Sequence, residues 1–218
     1  MVRPFTDRVN AARSLLSKGK EMFGLFKSRT ERFKEQFFSK QEQSAFKIIN
    51  ALNTEMDFLT FYKGKQKHDF LTDTWFERYA FGMIDAVNTL GGLELRAKIG
   101  MRVVAMYYVR FLMLEFELDQ ATALKVFQSV AKFYNTEEGQ RDAAILDGGS
   151  DGVLVLRGGN AARLLKHFGV NMDDETTPMT QAEMEKLRAF RSRDRWSDNA
   201  VRESQKAMKA LMAGAIDI

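Results

Sequence analysis

Apolar residues recur at steps of three, four and seven through most of the chain, which is the period of a helical face rather than of a strand. Between Thr6 and Lys40 the stripe runs Val9, Ala12, Leu15, Leu16, Met22, Phe23, Phe26, Phe33 and Phe37, with Gly24 and the polar patch 27–30 as points of interruption. Ser39 and Glu42 stand in the S-x-x-E relation of a capping box, whose two side chains satisfy amides left open at a helix start. The pattern therefore predicts a new helix from Lys40 to Tyr62, faced by Phe46, Ile49, Leu52, Met56 and Leu59 and ended by Gly64. Thr74 and Glu77 repeat the capping spacing before a helix from Trp75 to Leu90, which Gly91 and Gly92 close.

The segment Leu93–Leu118 is apolar around its whole circumference, so its helix is expected at the centre of a bundle. Asp119 is placed to cap a further helix through Tyr134, and a shorter helix is expected over Thr136–Leu146. The character then changes. Asp147-Gly-Gly-Ser-Asp-Gly152 leads into the apolar run Val153–Leu156 and then Gly158-Gly159, which reads as a strand or hairpin between glycine turns. Asn160 is expected to cap a short helix over Ala161–Phe168, with Gly169 ending it. An acidic loop follows to Pro178. Thr180 and Glu183 form a third capping box, opening a helical region from Gln181 to Ala213 with a break near Ser197. The expected fold class is mainly α: a multi-helix bundle with a small glycine-rich strand or hairpin insertion near 147–159. The expected division is a helical bundle domain over 1–146, with a basic N-terminal helical region, and a glycine-rich segment with a C-terminal helical appendage over 147–218.

Composition supports the helical reading, since only Pro4 and Pro178 occur among the 218 residues and helix formers dominate between them. The absence of cysteine removes disulfides, thiolate nucleophiles and thiolate metal sites. No apolar core of a secretory signal opens the chain, and no uncharged apolar stretch is long enough for a transmembrane segment. The expectation is a soluble protein, cytoplasmic or within a cytoplasmically assembled particle.

Charge is distributed unevenly. Residues 1–47 hold 11 Lys/Arg against 5 Asp/Glu, residues 48–185 hold 14 against 20, and residues 186–218 hold 8 against 4. The basic ends supply candidate contacts for nucleic acid or another anionic surface: Lys20, Lys27, Arg29, Arg32 and Lys34 at one end, Arg188, Arg191, Arg193 and Arg195 at the other. Phe23, Phe26, Phe33, Phe37 and Trp196 lie among them as candidate partner contacts. The simplest use of these stretches is packing, with the aromatic side on the bundle and the basic side in water. Peripheral membrane contact is a less favoured use.

Residues that carry chemistry are sparse. His68 and His167 are the only histidines, no H-E-x-x-H, Glu-x-x-His or G-x-S-x-G is present, and the glycine segment matches no phosphate-binding loop. Asp69, Asp73 and Glu77, four apart beside His68, would share one helical face and suit a divalent cation, but Thr74 as helix start puts the first two in a loop. No catalytic residue, metal or cofactor is assigned. Eighteen phenylalanines and twelve methionines favour adaptable apolar contacts. The expected function is a non-catalytic interaction or structural subunit of a larger assembly, a bacterial or bacteriophage one being a suitable setting, with other subunits or its own copies as partners. The alternative is a nucleic-acid-associated accessory protein using the basic N- and C-terminal helices.

Overall fold

The computed structural model describes residues 29–90, 93–170, 181, 182, 185 and 196–214. The protein divides into two compact units, residues 1–40 and 41–218. The described secondary structure is helical, without a strand among the described residues, and none of these helices is long and apolar enough to cross a membrane.

Helix α1 spans Arg29–Lys63 without a break. The predicted boundary at Ser39–Glu42 is therefore corrected: Ser39 lies inside the helix, because a capping box is only a local option that an uninterrupted run of helix-forming residues overrides. Gly64, at φ +65°, ends α1 as the sequence implies. Helix α2 (Lys67–Leu71) is held by a reciprocal box between Gln66 and Asp69. Helix α3 (Thr74–Asp85) starts one residue earlier than expected, because the Asp73 carboxylate, not Thr74, accepts from the Phe76 amide. A 3₁₀ turn over Ala86–Leu90 extends it.

Helix α4 (Leu93–Glu115) is the centre of the bundle. Every residue from Val103 to Phe116 is buried, as its all-round apolarity implies. Asp119 caps α5 (Gln120–Tyr134), and the Thr136 hydroxyl caps the single turn α6 (Glu137–Gln140). Phe76, Phe81, Tyr108, Phe111, Phe116 and Phe127 form a connected aromatic core between α3, α4 and α5, with neighbouring ring centroids 5.6–6.5 Å apart. Burial of each such ring stabilises the fold by roughly 1.5–3 kcal/mol. Helix α9 (Asp198–Met212), capped by Ser197, lays Ser204, Ala207 and Leu211 against α4. That start matches the expected break at Ser197.

The strand or hairpin expected over 147–159 is not present. Residues 143–156 form helix α7, capped by Asp142, whose side chain accepts from the Ile145 amide. Asp142 is itself fixed by Arg78 at 2.8 Å, and the Arg78 guanidinium lies 3.7 Å from the centre of the Phe133 ring. Helix α7 crosses α3 with backbones in contact. A methyl group on Gly148 would collide with the Tyr79 carbonyl oxygen, one on Gly82 with the Ile145 carbonyl oxygen, and one on Gly152 would stand 2.6 Å from the Met83 carbonyl oxygen. Glycine disfavours an isolated helix by about 1 kcal/mol per residue. Here the lost propensity is offset by a helix contact that no larger residue permits. Ala144, Gly148 and Gly152, four apart, form the stripe that makes this approach possible.

Helix α8 (Arg163–His167) follows, and here too the predicted cap is corrected. Its N-cap position is Ala162, which makes no side-chain cap. The Arg163 amide donates instead to Asp151 Oδ2 at 3.2 Å, so a residue from α7 does the work expected of Asn160.

Candidate functional site

Gly148 and Gly152 let α7 approach α3 closely, and this approach buries Asp151, which is 2% exposed. Tyr79 Oη donates to Asp151 Oδ2 at 2.8 Å, and the Arg163 guanidinium pairs with Asp151 Oδ1. Arg163 Nε also reaches Asp147 Oδ1 at 3.2 Å. Burial, then the charges of Glu55 and Asp151, push the Tyr79 phenol far above its ordinary range. Tyr79 thus keeps its proton and donates it in a hydrogen bond to Asp151 Oδ2, an arrangement suited to rigidity.

Glu55 of α1 belongs to the same centre. It is 5% exposed, and its Oε2 is buried without a hydrogen-bond partner. Burial, and secondly the negative charge of Asp151, raise its carboxyl to about 8. At neutral pH Glu55 is therefore mostly protonated. It forms part of the wall of an open groove of about 580 Å³, bordered by Lys47, Asn50 and Phe58 of α1, Val155 of α7 and the 158–161 loop.

A second polar centre surrounds Glu115 at the end of α4. Asn53 Nδ2 donates to Glu115 Oε1 at 2.8 Å, and Trp196 Nε1 donates to the same oxygen at 2.7 Å. Trp196 is half-buried, and its polar edge is engaged by this carboxylate. Trp196→Phe should lower stability by about 1 kcal/mol, the worth of one hydrogen bond; urea denaturation reads this, and an unchanged midpoint would show that water replaces the indole. Nearby, Arg110 lies over the Phe46 ring at 4.9 Å and 3.9 Å from Glu42. Burial lowers its pKa, partly offset by the Glu42 carboxylate.

The acidic series around His68 does not form one face. Asp69 closes the α2 capping box, Asp73 caps α3 and Glu77 lies in the first turn of α3. His68 is exposed, while His167, from α8, approaches Asp73 Oδ2 at 2.9 Å and stacks on Trp75 at 4.0 Å. No group of three metal-ligating side chains occurs among the described residues.

The outer face of α7 presents two large apolar side chains. Leu146 is 55% exposed and Leu154 44% exposed, with Ser150 between them at the same helical spacing. Beside this ridge lies an open groove of about 720 Å³, whose lining includes Gly82, Tyr134, Ile145, Leu146 and Val153.

Of the residues selected from sequence, Arg29, Arg32, Phe33, Lys34 and Phe37 fall within α1. Lys20, Phe23, Phe26, Lys27, Arg188, Arg191, Arg193 and Arg195 lie outside the described residues, as do Gly91, Gly92 and the Thr180–Glu183 box. The residues that sequence reasoning passed over are Glu55, Tyr79 and Arg163, which meet only across the fold. The four-residue spacing of Ala144, Gly148 and Gly152 was the one local signal of this centre. Comparison with known proteins finds no matching family model, no matching curated protein and no matching solved structure.

Proposed function

We propose that the chain is a non-catalytic interaction or structural subunit of a larger protein assembly, and that it presents the outer face of α7 to an apolar helix of a neighbouring subunit. The observation that carries this reading is the Leu146–Leu154 ridge beside an open groove. Large apolar side chains aligned on one face and rimmed by polar residues mark interaction surfaces. The support beneath the ridge is close-packed, because α7 and α3 meet through backbone at Gly82, Gly148 and Gly152. A partner helix would place its own apolar residues at steps of three and four along the groove.

The test is molar mass by light scattering at low and high salt. The wild type is expected to form an oligomer that survives high salt, since apolar burial is insensitive to screening. Leu146→Glu with Leu154→Glu should convert it to monomer while the helical circular dichroism stays unchanged. A wild type that is monomeric at every concentration and salt would overturn self-assembly through this face.

The segregated charge of the sequence favours a second reading, nucleic-acid association through the basic ends. It predicts affinity that falls steeply with salt, and that is reduced by reversing Arg29, Arg32, Arg191 and Arg193 together. Unchanged affinity in that variant would remove those residues from the reading.

A further inference from the structure

We propose that the groove between α1 and the 158–161 loop binds a small organic cation, a primary ammonium on a short aliphatic body, with Glu55 as its carboxylate partner. Three observations converge on that chemistry. The first is the unpartnered acceptor. Glu55 is 5% exposed, and its Oε2 has no donor, although buried polar atoms are normally satisfied. The second is position, because Glu55 forms part of the wall of a 580 Å³ groove rather than of a sealed core. The third is charge. Asp147 and Asp151 both bear on the single guanidinium of Arg163, so among the described residues of this cluster no further cation matches an ionised Glu55. Tyr79 faces the cluster as a neutral donor already given to Asp151.

Selection among cations follows from the rest of the lining. Ala51, Phe58, Val155 and Leu165 offer apolar contact to a ligand body of a few carbons. Asn50 and Thr54 stand along the α1 side, where an ammonium's remaining protons need acceptors. Among the described residues Lys47 is the one cationic side chain bordering the groove, and it is exposed to solvent, which screens its repulsion.

Ammonium binding requires the ionised form of Glu55, so binding displaces a proton near neutral pH. With the Glu55 carboxyl raised to about 8, only about a tenth of the molecules are ionised at pH 7. Affinity should therefore rise about tenfold from pH 7 to pH 9 and then level, while the ammonium itself, with a pKa of about 10.4, stays charged.

The experiment is calorimetric titration of the full chain with n-butylammonium chloride at pH 7 and pH 9, in two buffers of different ionisation heat. The expected result is binding that tightens about tenfold with pH, close to one proton released at pH 7, and none with butan-1-ol. Glu55→Gln, which keeps the shape and removes the charge, should abolish binding at both pH values. Ala51→Phe, which fills the groove without touching a charge, should do the same. Absence of binding by the wild type at pH 9, equal binding of butan-1-ol, or retained binding by folded Glu55→Gln or Ala51→Phe would overturn the proposal.

Discussion

Replacing Gly148 with alanine is expected to destabilise the protein by about 3 kcal/mol, the upper end of the usual penalty for an overfilled contact. The reason is the identity of the atom that the new methyl group meets. It is the Tyr79 carbonyl oxygen, part of the α3 backbone, which has no rotamer to change. Gly82→Ala should behave alike, because its methyl group meets the Ile145 carbonyl oxygen from the opposite side of the same crossing. Gly149→Ala is the control. Its nearest neighbour would be the Gly82 carbonyl oxygen at 3.9 Å, an ordinary contact, and alanine favours a helix over glycine by about 1 kcal/mol. Adjacent glycines in one helix should thus shift the urea midpoint in opposite directions. Equal midpoints for Gly148→Ala and Gly149→Ala would mean that the two helices do not touch through backbone.

Glu55→Gln should produce the second large effect, and its sign depends on pH. Below pH 4.5 the Glu55 carboxyl is protonated whether the chain is folded or not, so it adds no pH dependence. Between 4.5 and about 8 the folded protein keeps the proton and the unfolded chain has lost it. Stability then falls as pH rises, by about 1.4 kcal/mol per unit at most, and levels above pH 8. Glutamine cannot ionise and removes this slope. The variant should match the wild type near pH 4 and exceed it by a few kcal/mol at pH 9, the difference between the two curves isolating Glu55 from every other titrating group. Denaturant titrations of both proteins across that range read the effect. Parallel curves would show that the Glu55 carboxyl is not withdrawn from water.

Both predictions concern features with unequal sequence signals. The glycines of α7 were visible, but Asp-Gly-Gly-Ser-Asp-Gly is ordinary turn chemistry, and local propensity favours a hairpin there. Their four-residue spacing points the other way, toward a helix face stripped of side chains. Choosing between the two readings requires a partner helix, and Gly82 lies 66 residues from Gly148. Glu55 carried no local signal at all. It occupies one position in an amphipathic helix, and nothing near it in sequence distinguishes it from exposed glutamates such as Glu42.

Helical class, the central position of Leu93–Glu115, the Asp119 cap and the Gly64 and Gly169 stops were legible from periodicity and capping, because these are short-range effects of backbone geometry and solvation. The continuity of α1 through Ser39 was not, since a cap and a helix interior are both locally acceptable there. The helicity of 143–156, the capping of α8 by Asp151 and the burial of Glu55 beside Asp151 belong to long-range packing. Each is a contact between segments distant along the chain, and its free energy exists only once α1, α3, α7 and α8 have come together.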